Sequence, residues 1–170
     1  MSKKNYLFHG DFVTARPEPG ELTVYENAYA LVRDGVLEEI TLIKPSVGDD
    51  VIEVDWKGKL IIPAFSDVHL HAVQYVTTGL GYDKELLPWL TDYTFPEEAR
   101  FAGRDYAARV FADLVYDLWS CGTLHSSIFS SINTDATVLL AEKLVGAGLS
   151  AYVGKVNMDR NGGIDLEETT

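Results

Sequence analysis

Residues 60–75 read LIIPAFSDVHLHAVQY, an apolar run that leads into two histidines one residue apart and then a Gln-Tyr pair. The run predicts a strand over LIIPAFSD with His69 and His71 at its C-terminal end. Residues i and i+2 of a strand point to one face, so Asp67, His69 and His71 are expected to project together. Two imidazoles side by side can both reach one divalent ion. Asp67 is then placed to support them through a hydrogen bond rather than to ligate directly.

The texture differs on the two sides of this stretch. Upstream, NYLFHGDFVTA alternates and is β-prone, and AYALVRDGVLEEITLI reads as a hairpin turning at Asp34-Gly35. DDVIEVDWKGKLIIPAF suggests two more strands around Lys57-Gly58. A small antiparallel sheet is expected over residues 1–62. Downstream, DYAARVFADLVYDLWSCG sets Val110/Phe111, Leu114/Val115 and Leu118/Trp119 at helical spacing, with Gly122 as a stop. TLHSSIFSS follows as a strand. NTDATVLLAEKLVGAGLS is a second helix, capped by Asn133 or Thr134 and closed by Gly146 or Gly148. SAYVGKV is a further strand. Residues 60–156 alternate strand, helix, strand, helix, strand, which predicts right-handed βαβ units and a parallel sheet in a second unit over residues 63–170. GYDKELLPWLTDYTFPEEARF is an insertion after the first of these strands, at the strand end where sites are built. The tail DRNGGIDLEETT is polar and expected to be loose.

The chain has 170 residues, 46% hydrophobic and 11% aromatic, enough for a core, and a formal charge of −12. That charge repels phosphate backbones, so no nucleic-acid partner is expected. The one cysteine, Cys121, excludes an intrachain disulfide framework and fits a reducing compartment. MSKKNYLFHGDF is basic, but no apolar h-region follows, so it does not read as a signal peptide. No apolar run approaches the ~20 residues of a membrane span. A soluble, cytoplasmic protein without a membrane partner is expected. GAGLSA at 146–151 ends a helix rather than opening one, so it is no dinucleotide fingerprint. The zinc deaminases built on H-x-E with P-C-x-x-C are excluded by the absence of H-x-E and by the cysteine count. His9 reads as structural. His125 lies near the start of its strand, roughly 16 Å from the histidine pair at about 3.3 Å per residue.

IIPAFSDVHLH resembles the first-strand signature of the amidohydrolase superfamily, which runs Pro-Gly-x-x-Asp-x-His-x-His after an apolar stretch; Ala64 stands where Gly is usual. HAVQY, then LLPWLTDYTFPEEARF, then YVGKVNMDRN resemble the guanine deaminases in wording and order, a likeness that runs from about residue 60 onward. A departure is Asn133, where many relatives have His. The resemblance implies an α/β fold: a piece of the family's β-sandwich, then the first three βα units of a metal-dependent (β/α)8 barrel. It implies zinc held by His69, His71 and later ligands, which lowers the pKa of a bound water. Hydroxide then attacks C2 of guanine, a downstream Glu moves protons, and ammonia leaves to give xanthine. Gln74 matches the family's guanine-contacting Gln, its amide offering a donor and an acceptor to a purine edge. His71, Ala72 and Val73 line the same turn, and Trp89 would pack against the flat base.

The family's remaining zinc ligands, a His and an Asp, come from the fifth and eighth barrel strands, and the Glu follows that His. Residues 63–170 are too few for an eight-stranded barrel, which takes about 250 residues. The expectation is therefore the N-terminal part of a longer enzyme, homodimeric when complete, inactive alone and wanting a C-terminal barrel segment. Two alternatives stay open: another amidohydrolase acting on an aminated heterocycle or cyclic amide, and a non-catalytic βαβ fragment that only pairs with its missing half.

Overall fold

Asp34 and Gly35 both take positive φ, 50° and 81°, the backbone that a two-residue hairpin turn requires. They join β2 (Leu22–Arg33) to β3 (Val36–Thr41), while β1 (Asn5–Ala15) pairs antiparallel with β2 on its other side. The structure is a computed structural model that describes residues 4–16, 18, 20–160, 162 and 166–167. The chain divides into two compact units, Met1–Pro63 and Ala64–Thr170.

The first unit is a four-stranded sheet in the order β3-β2-β1-β4, with β4 spanning Val51–Ile61. It is not the wholly antiparallel sheet expected, because β4 runs parallel to β1. Residues 42–50 form no hairpin; they carry the chain from the β3 edge to the opposite edge, the kind of connection parallel pairing needs. Nor are there two strands around Lys57-Gly58. One strand is interrupted there, since His9 pairs with Asp55 and Asp11 with Leu60, so residues 56–59 bulge out opposite Gly10. A Cβ on Gly10 would lie 3.2 Å from the carbonyl oxygens of both Trp56 and Lys59, so the bulge closes only over glycine. The expected strand LIIPAFSD is also split: Leu60 and Ile61 finish β4, and β5 begins at Phe65. Pro63, with no N–H for a ladder, stands in the break.

In the second unit, β5 (Phe65–His71), β6 (Thr123–Phe129) and β7 (Ser150–Gly154) form a parallel sheet in that order. The insertion after β5 is built of short helical turns. A 3₁₀ turn covers Ala72–Thr77, α1 covers Leu86–Trp89, a wide π turn Leu90–Thr94, α2 Phe95–Ala99, and a last 3₁₀ turn Arg100–Ala102. Glu97 of α2 accepts bonds from Arg100, at 2.7 Å, and from the Tyr106 hydroxyl. Tyr106 lies on α3 (Arg104–Ser120), so the insertion is tied to the long helix.

α3 buries Val110, Phe111, Leu114, Val115 and Leu118, the stripe its spacing predicts. Trp119 departs from that stripe. It is 49% exposed, and its indole N–H donates to the Ala147 carbonyl at 2.8 Å. α4 (Thr134–Gly146) opens on Asn133, whose side-chain oxygen accepts the Ala136 N–H at 3.1 Å. It closes in a Schellman arrangement. Gly148 (φ 79°) donates to Val145, and Leu149 to Leu144. Phe111, Leu140, Leu144 and Ile128 lie at the centre of a core between these helices and the sheet. Removing a buried Phe or Leu from such a core costs about 2–5 kcal/mol.

Of the polar tail, residues 161, 163–165 and 168–170 lie outside the described residues, as do the first three of the basic N-terminal run. Within the described part Leu166 is buried rather than loose. Among the described residues no helix is long and apolar enough to cross a membrane.

Candidate active site

His69 and His71 sit in the last three residues of β5, with ring centroids 5.0 Å apart and planes at 70°. Alternation brings the two imidazoles to one face, but it does not bring Asp67 with them. Asp67 pairs with Ser126 and Leu70 with Ile128, so β5 holds one more residue than β6 between these pairs. This is a β-bulge, a device that re-aims side chains. Residues paired across a sheet share a face, which places Asp67 with Ser126, Ile128 and Leu70. The two imidazoles lie against Phe129 on the other face, at 5.6 and 4.9 Å. Asp67 is therefore not on the histidine face. Its carboxylate accepts the backbone N–H of His69 at 3.0 Å, so the support it gives is to the bulge rather than to an imidazole. Burial, and secondarily the neighbouring His69, hold His71 below the ordinary imidazole range.

The pair opens onto a cavity of about 350 Å³ whose other walls include Gln74, Tyr75, Tyr82 and Trp89. The 3₁₀ turn that carries Gln74 is pinned from several sides. Ala72 and Val73 plug into the core. The Gln74 carbonyl accepts the Thr77 and Thr78 hydroxyls at 3.0 and 3.4 Å. The Tyr75 hydroxyl donates to Asp117 of α3 at 2.5 Å, which with burial pushes it up to about 12. Gln74 is left with a side-chain amide that no described residue engages.

Of the expected ligand contacts, the structure gathers His71, Gln74 and Trp89 around one cavity. Ala72 and Val73 open the 3₁₀ turn that carries Gln74. Their side chains are buried in the core, at 0% and 3% exposure, so they can offer a ligand only backbone atoms. Trp89 lines the cavity, but its indole N–H is already committed to the Leu80 carbonyl at 2.9 Å. His125 stays apart, pairing with Ser66 and Ser150 four positions before Phe129. Tyr75, Tyr82 and Phe129 were not singled out by the sequence. Tyr82 follows two glycines in TTGLGY, a turn signature that marks a held loop.

His69 and His71 suit zinc in donor type: imidazoles on one face, with ring nitrogens that no other described side chain occupies. They fall short in number, since no group of three or more His, Cys, Asp or Glu side chains suited to a metal occurs among the described residues. What this segment supplies is thus a partial ligand set.

No family model matches the chain. A guanine deaminase of Dictyostelium discoideum is 36% identical over 148 residues, which cover 86% of this chain and 32% of that protein. A crystal structure of guanine deaminase from C. acetobutylicum, with guanine bound in its active site, is 38% identical at a TM-score of 0.89 and covers 97% of this chain and 39% of that one. An adenosine deaminase from Xanthomonas campestris with bound zinc, 19% identical at a TM-score of 0.65, shares the fold. The chain spans between a fifth and a third of the length of the curated relatives it matches, with 32% the share for the Dictyostelium protein and 25% for the Homo sapiens guanine deaminase. By sequence and by structure together, the chain is similar to guanine deaminases over a portion of their length, consistent with an N-terminal part.

Proposed function

We propose that this chain is the N-terminal part of a zinc-dependent guanine deaminase, which converts guanine and water to xanthine and ammonia once the remainder is in place. The observation that carries this reading is a single cavity walled by His69, His71 and Gln74, in a chain whose guanine deaminase relatives include one with guanine bound. In this reading the four-stranded sheet is one piece of a β-sandwich. The β5-β6-β7 sheet is the first three βα units of a (β/α)8 barrel. The remaining ligands and the proton-moving carboxylate come from residues outside this segment, and the complete enzyme is a cytoplasmic homodimer.

His69 and His71 hold the zinc, which when bound supplies activation of water at neutral pH. The residues of this chain do the rest of what happens at this wall. Gln74 reads the purine edge through an amide that can donate and accept. The backbone that carries it is held by the Thr77, Thr78 and Tyr75 hydrogen bonds, so the turn is ordered before a ligand binds. Trp89 presents an apolar face to the base, and Ala72 and Val73 contribute backbone groups only.

The test is ammonia release by the complete enzyme from guanine, adenine and cytosine. Guanine is expected to react far faster than the other two. Gln74→Ala is expected to reduce kcat/KM for guanine about tenfold to a hundredfold, the cost of one lost buried hydrogen-bond partner, with zinc content unchanged. Equal turnover of guanine and adenine would move the assignment elsewhere in the superfamily.

A further inference from the structure

We propose that Tyr82 is a specificity-determining residue of this site, a flat aromatic face held ready to stack on the planar heterocycle that Gln74 reads; this rests on the purine reading above. Tyr82 lines the same cavity as His71, Gln74 and Trp89, yet it is 83% exposed. No described residue hydrogen-bonds its hydroxyl. An aromatic ring left this bare gains nothing for the fold of the segment.

The backbone beneath it is nonetheless tightly held. Leu80 donates to the Thr77 carbonyl and Lys84 to the Gly81 carbonyl, both at 3.0 Å, so consecutive turns bracket the residue. Gly79 and Gly81 take φ of 86° and 68°, where other side chains are strained. A Cβ at Gly81 would lie 2.8 Å from the rings of both Trp89 and Tyr93. The Leu80 carbonyl accepts the Trp89 indole N–H, and Lys84 bonds Asp92 at 2.7 Å. The loop is thus stitched to the helical insertion on both sides of Tyr82. Tyr82, its most exposed large side chain, lines the cavity. Ordering a loop to hold an exposed aromatic is unfavourable unless the ring acquires a partner, and a flat heterocycle bound against Gln74 supplies one. Trp89 is then in part a positioning residue, acting through Leu80 on the loop that carries Tyr82.

The experiment measures kcat, KM, zinc content and thermal midpoint for Tyr82→Phe, Tyr82→Leu and Tyr82→Ala in the complete enzyme with guanine. Stacking on a base predicts that Tyr82→Ala raises KM about tenfold. Its kcat, zinc content and thermal midpoint are expected to hold. Tyr82→Phe keeps the face and should match the wild type, whereas Tyr82→Leu keeps apolar bulk without the face and should follow Ala. A Tyr82→Ala enzyme with unchanged KM, a Leu variant equal to Phe, or a KM change that arrives with lost zinc or a lowered thermal midpoint overturns the proposal. A wild-type enzyme that ignores guanine overturns the deaminase reading instead. The same variants are then run on the aminated heterocycle the enzyme does accept, and the order of Phe, Leu and Ala still decides the role of Tyr82.

Discussion

His69 and His71 stand two residues apart at the end of β5, and one extra residue in that strand separates their face from that of Asp67. Alternation alone led to the expectation that Asp67 shares their face, and the bulge moves it to the other. The histidine pair was legible because H-x-H before a turn survives a local slip in register. The bulge was not, because it depends on how β6 aligns, and no residue within 65–71 announces it. The side-chain burial of Ala72 and Val73 was hidden for a similar reason: a turn's inward face is set by the helices behind it. For the complete enzyme the pair makes a sharp expectation. His69→Ala and His71→Ala each remove one of at most four zinc ligands and should strip most of the bound zinc and abolish turnover. Metal content by atomic emission beside the activity assay checks this, and full zinc occupancy with normal turnover in both variants would remove the histidines from the site.

At the level of elements, α3, β6, α4 and β7 were readable from periodicity, with the α4 cap narrowed to Asn133 or Thr134 and its stop to Gly146 or Gly148. The insertion was not, because pieces of four or five residues such as α1 and α2 hold no full apolar period. α2 carries a feature that periodicity cannot show. Glu98 is buried, and one of its carboxylate oxygens lacks a partner. Burial raises its pKa above the ordinary value, only partly offset by the Ile132 N–H that its carboxylate accepts. A carboxyl with a raised folded-state pKa contributes stability below its unfolded value. That contribution is lost as pH rises through the folded value, leaving an ionised buried group above it. Glu98→Gln keeps an acceptor for Ile132 and removes the charge. The variant should therefore melt higher than the parent at neutral pH, with the gap closing as pH falls below the ordinary glutamate range. Thermal midpoints measured across pH test this; a variant that melts lower at neutral pH would mean that the ionised carboxylate stabilises α2.

For the whole molecule, the parallel pairing of β4 with β1 was not visible in the sequence, since it depends on a crossover that has no local motif. The β5-β6-β7 sheet has α3 and α4 packed over one face. The pairing register puts Phe129 and Tyr152 on the other, both exposed, beside the two imidazoles, and Phe65 and Val68 of β5 are exposed as well. β5 and β7 are both edge strands. Parallel sheets are ordinarily covered on both faces, and bare edges with apolar faces invite association. Chemistry and packing thus point the same way. Among the described residues, two imidazoles leave zinc short of the three protein ligands of a catalytic site. Residues 1–170 purified by themselves should bind zinc weakly, release no ammonia from guanine, and self-associate in sedimentation measurements. Adding the complementary barrel segment should restore both a discrete species and turnover. A monodisperse 170-residue chain that turns over guanine as fast as a full-length relative would show that the ligands and the base lie within this segment, and the mechanism built on a partial ligand set would fall.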